Sequence, residues 1–525
     1  MIPPPHLKVL FFLNGAVQSF PLVALSTYLN SIAKIDINLL SLYGASCFLP
    51  YLLKPFYATV LCVVPIRPFL VACYVLSALS FIFTALAVTD NAQAVAFVVG
   101  FSRSLTQSAA DFALTVVLLE YARVHYNFKK PVLFKRAVAY FQSEAATCRN
   151  VGSFVASLGC AIVFGIGNST ASAAQAKSML LLTAVLPAVA AILTVVYFDE
   201  VSSISTTSSK STSTSTSGDS SSDSGSDDDD NTESLLHPLA PTLTLPPASV
   251  NPPPNPPPQP NFKLGLNEIA AAVLIQLLLV MVAFFSTFPS QIFVGVFVFV
   301  AMLLFFVIYN LFVKNMKNNN EKQNKQIKVG MFLVFRMLAP TFSYQYRSYS
   351  YGLFESKAAY LQILSLVSSS ALMLGGMFFQ RYIAKKTDRV GSVFVVTTIL
   401  AVGGSLSFLV MCGRAAQDRS VEDNFAWAIP ITFVTGFLGE VAFLPSVMLA
   451  SCSLVGVGDR RVDEMIWALF TAAIDFGNEL SDWILVVLVD RIGISREDWS
   501  GLPTLLFVCG GFSLATLGVL PLIRV

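Results

Sequence analysis

Long apolar stretches separated by short polar segments recur along almost the whole chain. Each is long enough to cross a bilayer, since a transmembrane helix needs about 20 mainly apolar residues. In lipid, such a stretch satisfies its backbone polar groups by becoming a helix. The pattern therefore predicts an all-α membrane protein with about fourteen spans, at 7–29, 39–62, 68–88, 93–120, 138–166, 178–198, 266–287, 291–313, 329–351, 358–383, 391–412, 425–451, 462–490 and 502–523.

One long segment breaks this pattern. Residues 199–265 begin with Ser/Thr repeats, continue into Asp227 to Asp230 and end in the proline run Pro252 to Pro260. This composition cannot bury enough apolar surface to form a core. The sequence therefore predicts a disordered, partly polyproline linker over 199–265.

Composition supports the membrane assignment and removes several functional classes. The chain is 55% hydrophobic and 12% charged, which a soluble protein of this length does not accommodate. The cysteines occur singly, and the three histidines (His6, His125 and His237) lie outside the core, so we expect no metal site and no cofactor. No catalytic triad pattern, nucleotide loop or basic-aromatic block occurs, so we expect neither an enzyme nor a nucleic-acid-binding protein.

Basic residues in alternate loops predict the orientation. Lysines and arginines concentrate at 123–136, 314–328 and 381–389, whereas the intervening loops carry Asp90 or a mixed set of charges. Basic loops face the cytoplasm, so both termini are predicted to be cytoplasmic. The sequon at Asn168 then lies on the outer side, where a glycosylation site has to be.

Two spans form a hairpin at 266–313, between the linker and the Lys-rich cytoplasmic loop 314–328. Setting them aside leaves two blocks of six spans each, in an N-terminal half 1–198 and a C-terminal half 329–525. Six plus six repeats around a central cytoplasmic linker are typical of the major facilitator superfamily, which holds its substrate at the midplane between the halves. We therefore expect alternating access around such a site.

Charged residues occur inside the apolar runs or at their ends. A charge near the bilayer centre costs at least ~2.5–3.5 kcal/mol, so these side chains should face a cavity or each other. Those near span ends have the alternative of reaching the headgroups or forming structural pairs, which applies to Arg103, Glu120, Glu144 and Asp482. A cavity-lining role is expected for Asp111, Arg149, Asp475 and Glu479; the other charged positions are Arg336, Arg347 and Glu440.

Asp111 and Arg149 lie on consecutive spans and are predicted to form a switchable pair. Protonation of the acid would release the arginine to an anionic ligand, which is how a proton-coupled carrier links ion and substrate. Asp111 is thus the main candidate for the proton-binding acid.

Short motifs along both halves resemble the folate-biopterin transporter family. In the first half these are Lys54-Pro55-Phe56-Tyr57, Ala110-Asp111 with Glu120 and Ala122-Arg123, Phe141-Gln142-Ser143, and Arg149 to Ser153. In the second half they are Ala339-Pro340, Leu444 to Ala450, Ala468 to Phe470, Asn478 to Ser481, and Leu488 to Gly493. Their order along the chain carries the resemblance, which leaves out the linker and the hairpin.

The chain departs from the family pattern at two places. Thr115 stands where the family usually has a second acid in the fourth span, which puts a two-acid proton relay in doubt. Ala58 follows the Lys-Pro-x-Tyr element where the family usually has a glycine and then an acid, and Arg67 stands where it has paired arginines. This second change puts the usual cytoplasmic latch between the halves in doubt.

The resemblance implies a secondary active transporter that moves a folate- or pterin-like small molecule together with protons. Aromatic side chains would stack on the pterin ring and cations would hold its carboxylates. The substrate-binding candidates are Lys54, Arg149, Asn150, Arg347, Phe342 and Tyr346, with Phe12, Tyr344 and Tyr349 as further aromatic positions. The proton-coupling candidates are Asp111, Glu120, Asp475 and Glu479. For Tyr349 and Tyr351 ordinary helix packing is an equal alternative.

Two other interpretations stay open. Members of the family also carry S-adenosylmethionine, whose cationic end would suit Asp111 or Glu440 better than an arginine. A non-transporting nutrient sensor is the rival outside transport, although a sensor typically carries a large folded cytoplasmic domain. The membrane is expected to be the plasma membrane or an organellar one.

Overall fold

The computed structural model describes residues 4–21, 47, 49–61, 64–87, 93–125, 131–165, 173–197, 320–340, 349–350, 353–354, 358–384, 390–415, 420–454, 460–494 and 498–523. The predicted linker 199–265, the hairpin 266–313, Asn168 and the aromatic-rich segment 341–348 lie outside these residues. The described parts are helical throughout and contain no strand.

The helices of the N-terminal half correspond to the first six predicted spans. A 3-10 turn at Leu49–Leu53 leads into α2, and a break at Ala184 divides the sixth span in two. The helices are α1 (Pro5–Ser19), α2 (Lys54–Leu61), α3 (Ile66–Ala87), α4 (Gln93–His125), α5 (Pro131–Gly165), α6 (Ala173–Thr183) and α7 (Val185–Tyr197).

The helices of the C-terminal half follow the same order. A break at Ser407 divides the third span of this half, and α8 begins at Asn320, within the segment predicted as a Lys-rich loop. Glu, Gln and Lys are good helix formers, so a membrane helix can continue into such a polar segment. The helices are α8 (Asn320–Met337), α9 (Ala358–Phe378, then a π-turn to Ile383), α10 (Val390–Leu406), α11 (Phe408–Ala415), α12 (Val421–Cys452), α13 (Arg460–Ile492) and α14 (Leu502–Ala515, then a 3-10 turn to Ile523).

Apolar and charged helices take different positions. Six spans of the described chain are long and apolar enough to cross a membrane: Ile66–Leu86, Lys177–Tyr197, Ala359–Ile383, Val390–Gly413, Val421–Cys452 and Leu502–Pro521. These spans expose large hydrophobic side chains such as Phe83, Ile192, Ile399 and Phe507, as a lipid-facing helix does. By contrast, α4 buries the charged side chain of Asp111, which places this charge in the interior.

Helix packing repeats between the halves. In the first half α1 packs on α5, and α3 packs on both α4 and α7. In the second half α8 packs on α13, and α10 packs on both α12 and α14, in the same relation. Across the halves α2 meets α13 and α9 meets α5. The contact between the halves therefore involves α2, α5 and α13, which carry Lys54, Arg149 and Asp475, together with α9.

A glycine allows close helix contact in each half. A Cβ atom on Gly152 of α5 would collide with the carbonyl oxygen of Phe12 in α1. On Gly477 of α13, a Cβ atom would lie 2.6 Å from the carbonyl oxygen of Val334 in α8. Small residues permit such backbone approach in membrane helices. These contacts fix α5 against α1 and α13 against α8, so each of these two charged helices packs closely on the first helix of its half.

Candidate functional site

Asp111 lies at the centre of a hydrogen-bonded group inside the N-terminal half. Its Oδ1 atom accepts a hydrogen bond from Nδ2 of Asn14 at 3.0 Å, and its Oδ2 atom lies 3.1 Å from Nη1 of Arg149. The Asp111 side chain is 10% exposed and that of Arg149 is 27% exposed. The structure thus pairs Asp111 with Arg149 as the sequence spacing predicts, and the side chain of Arg149 stays partly exposed.

Close packing of α1 on α5 fixes Arg149. Gly15 of α1 packs directly against the backbone carbonyl of Arg149, which leaves no room for a side chain there. The guanidinium group of Arg149 lies over the ring of Phe11, 5.9 Å from its centroid, in a cation–π arrangement. Phe11 and Asn14 therefore belong to the site, although the sequence analysis named neither of them.

A second ion pair joins the two halves. Nζ of Lys54 on α2 lies 2.6 Å from Oδ2 of Asp475 on α13, and both side chains are largely buried. The ammonium group of Lys54 also lies 5.6 Å from the centroid of the Tyr51 ring. Lys54 was a substrate-binding candidate and Asp475 a proton-coupling candidate, and in this structure each is the partner of the other.

The two ion pairs form one electrostatic cluster. Asp475 lies close enough to Asp111 and Arg149 to interact with both electrostatically. Two acids and two bases in proximity balance to no net charge, and such compensation makes charges tolerable in a membrane interior. A ligand charge or a proton entering this cluster would therefore unbalance it and favour a different pairing.

Asn150 connects three helices across the halves. Its Nδ2 atom donates to Oε1 of Glu440 on α12 at 3.0 Å and to the carbonyl oxygen of Leu372 on α9 at 3.1 Å. A hydrogen bond between Ser157 and Ser369 at 2.9 Å joins α5 to α9 again. Asn150, a substrate-binding candidate, therefore serves as a tie between the halves in this conformation.

A further charged group lies nearer the beginning of α5. Lys8 of α1 forms an ion pair with Oε1 of Glu144. Glu144, expected to be either a headgroup-facing or a structural residue, thus has a structural partner.

The remaining sequence candidates divide into four groups. Thr115, at the position of the family's second acid, donates a hydrogen bond from its hydroxyl group to the backbone carbonyl oxygen of Asp111 at 2.9 Å. Tyr349 packs edge-on against Phe408 and Trp499, which supports its packing alternative. Glu120 is half-buried towards the end of α4. Outside the part of the chain with described side chains lie Phe342, Tyr344, Tyr346, Arg347, Tyr351 and Glu479.

Comparison with known proteins decides the family. The sequence profile of the BT1 family, the folate-biopterin transporters, matches residues 14–525. The chain belongs to the BT1 family. No curated protein sequence matches the chain significantly.

Solved structures of transporters share the fold of this BT1 protein. A POT family transporter in complex with a thioalcohol-conjugated peptide is similar with a TM-score of 0.61 at 13% identity, over 99% of this chain and 96% of that one. The human organic anion transporter MFSD10 (TETRAN) is similar with a TM-score of 0.59 at 10% identity, over 99% of this chain and 100% of that one. A mutant of the nucleoside transporter NupG gives 0.53 at 11% identity, over 99% of each chain. The BT1 protein is therefore a multi-pass membrane transporter with a major-facilitator-type fold.

Proposed function

We propose that this BT1 protein is a proton-coupled symporter of folate- or pterin-like solutes. The observation that carries the proposal is the buried carboxylate of Asp111, held between the amide of Asn14 and the guanidinium of Arg149. Buried acids paired with cations inside a membrane protein mark proton relays in pumps and transporters. The family supports the solute class.

Coupling follows from competition for Arg149. When Asp111 binds a proton it loses its charge, and the attraction between its Oδ2 atom and Arg149 falls. The guanidinium group, already partly exposed, then offers its N–H groups to a carboxylate of the solute. Asn14 keeps its hydrogen bond, because the carbonyl oxygen of a protonated acid still accepts one. Proton and anionic solute therefore bind together.

Movement of the halves follows from the second ion pair. Lys54 and Asp475 belong to helices of different halves, so any ligand that draws Lys54 away removes a contact between them. A carboxylate of the solute is such a ligand. Breaking a buried pair is unfavourable unless both charges find new partners, and the balanced cluster around Asp111 and Arg149 supplies them.

Aromatic rings beside the cations suit a flat heterocycle. Phe11 lies beside Arg149 and Tyr51 beside Lys54. An aromatic ring next to a charged group can stack on a pterin ring while the charge holds a carboxylate. These two residues add to the aromatic candidates predicted from the sequence.

Uptake of labelled solutes tests the proposal. The protein is expressed in cells that lack their own carriers, and entry of radiolabelled folate, methotrexate, biopterin and S-adenosylmethionine is measured at an acidic and at a neutral outside pH. We expect folate or biopterin to accumulate above its outside concentration at the acidic pH only, with loss of accumulation when a protonophore is added. Accumulation of S-adenosylmethionine alone would show that the solute is not a folate or pterin. Accumulation that resists the protonophore would refute proton coupling.

A further inference from the structure

Glu440 differs from the three interior acids that form ion pairs, Asp111, Asp475 and Glu144. It lies on α12, near the middle of an otherwise apolar span, and is half-buried. Its Oε1 atom accepts a hydrogen bond from the neutral amide of Asn150. Among the described side chains no lysine or arginine lies within ion-pair distance of Glu440, and Arg149 acts on it only at longer range.

Three cations of the described helices are already engaged by other acids. Arg149 pairs with Asp111, Lys54 with Asp475, and Lys8 with Glu144. An acid in a membrane interior that lacks a counter-ion is costly and needs a positive or hydrogen-donating partner. Within the described part of the interior, Glu440 is thus an acid that no lysine or arginine pairs with, and it lies at the contact between the halves, beside Asn150.

Glycines of α9 let this helix pack closely against Glu440 and Asn150. A Cβ atom on Gly375 of α9 would lie 3.1 Å from Cβ of Glu440, and one on Gly376 would lie 3.4 Å from Nδ2 of Asn150. Next to Glu440 on its own helix, a Cβ atom on Gly439 would meet nothing within 4 Å. Close packing of α9 therefore holds Glu440 beside Asn150, while the second oxygen, Oε2, has no hydrogen bond to a described residue.

We propose that Glu440 is the acceptor for an N–H donor group of the transported solute. Two chemistries fit: the edge of a pterin, whose ring N–H and 2-amino group can donate two parallel hydrogen bonds to one carboxylate, and an ammonium group such as that of S-adenosylmethionine. The assignment rests on the proposed transport function and deepens it. Of the two acids that suit such a group by sequence, Asp111 has both oxygens occupied and Glu440 has one available.

Occupation of Glu440 also bears on the contact between the halves. A solute that takes both oxygens of the carboxylate displaces Nδ2 of Asn150, which then keeps only its bond to the Leu372 carbonyl. One of the hydrogen bonds that tie α5 to the C-terminal half is lost as the solute binds. Recognition of the donor group would thus loosen the same interface that the ion pair of Lys54 crosses.

Competition between matched ligands tests the inference. Purified full-length protein is reconstituted in proteoliposomes, and uptake of radiolabelled folate is measured, or of S-adenosylmethionine where that is the transported solute. Unlabelled pterin and unlabelled lumazine, in which an oxygen replaces the 2-amino group, are each added as competitors. The concentrations at which they inhibit uptake are compared. We expect the wild type to prefer pterin by at least about tenfold, the size of one charge-assisted hydrogen bond. In Glu440→Gln the preference should fall to within about twofold. The control Glu422→Gln, the same change at the exposed first turn of the same helix, should keep the wild-type preference.

The outcomes separate this inference from the proposed solute. A full preference for pterin in Glu440→Gln overturns the inference and leaves folate transport standing. Uptake of S-adenosylmethionine and of no pterin overturns the proposed solute, and the inference then survives only if Glu440→Gln lowers that uptake by about tenfold or more. If Glu440→Gln cannot be purified as folded protein, Glu440→Asp decides. Weaker competition by pterin with unchanged competition by lumazine supports the inference, and equal weakening of both refutes it.

Discussion

Asn150 and Asp475 occupy equivalent positions in the two halves, each two residues before the glycine that packs its helix against the first helix of its half. Each side chain also reaches the opposite half. Asp475 pairs with Lys54 of α2, and Asn150 bonds to α9 and α12. The internal repeat therefore places a cross-half contact at the same site twice, once as an ion pair and once as an amide bridge. We infer that the halves are tied through two related but chemically different contacts.

Asp111→Asn should abolish concentrative uptake driven by protons. The asparagine keeps the size of the side chain and can accept the Asn14 hydrogen bond, but it cannot bind and release a proton. We expect exchange of solute between pools to persist at a reduced rate, while accumulation at an acidic outside pH disappears. Asp490→Asn, at an exposed position of α13, should behave as the wild type. Normal accumulation by Asp111→Asn would exclude Asp111 as the coupling acid.

Arg149→Ala should weaken binding of an anionic solute far more than Arg149→Lys. The guanidinium meets Asp111 through a single nitrogen, so a lysine can supply the same charge without the fork geometry. The expected rise in KM is at least about tenfold for alanine and a few-fold for lysine, in line with loss of a charge-assisted hydrogen bond. Equal effects of both substitutions would show that the fork geometry is required. Improved uptake of a cationic solute by Arg149→Ala would favour S-adenosylmethionine.

Much of this site was predictable from the sequence, for a physical reason. Asp111 and Arg149 are isolated charges on consecutive spans, and the cost of burying a charge makes such residues seek each other. The partnership of Lys54 with Asp475 was not predictable, because it joins helices of different halves and a single sequence does not say which acid meets which base. The role of Asn14 was harder to predict, because this residue is a single neutral amide in an apolar helix.

The Lys54–Asp475 pair predicts the result of a charge exchange. Lys54→Asp and Asp475→Lys each place two like charges together in a largely buried position, so each should lose nearly all transport. The double variant restores opposite charges across the same gap and should recover at least about a tenth of wild-type uptake, since coupled residues are not additive. Surface expression is measured for all three. Failure of the double variant to exceed either single one would show that the identity of each residue matters more than the pair.

The glycine contacts predict selective loss of stability. Gly152→Ala and Gly477→Ala insert a methyl group against a backbone carbonyl, so each should destabilise the protein by about 1–3 kcal/mol through overpacking. Gly403→Ala in α10 is the matched control, because a Cβ atom there would meet nothing within 4 Å. That change should be neutral or stabilise slightly, since alanine favours a helix over glycine. Thermal unfolding in detergent distinguishes the three, and equal melting temperatures would contradict the close contacts.

The contact of Ser157 with Ser369 provides a test of movement between the halves. Their hydroxyl oxygens lie 2.9 Å apart, on α5 and α9, so cysteines at both positions should form a disulfide when oxidised. Alternating access requires the halves to rock against each other around the site. Oxidation of the double cysteine variant should therefore stop uptake, and a reducing agent should restore it, whereas either single variant should be insensitive. Full transport by the cross-linked protein would show that α5 and α9 stay joined at this point throughout the cycle, and that the halves separate elsewhere.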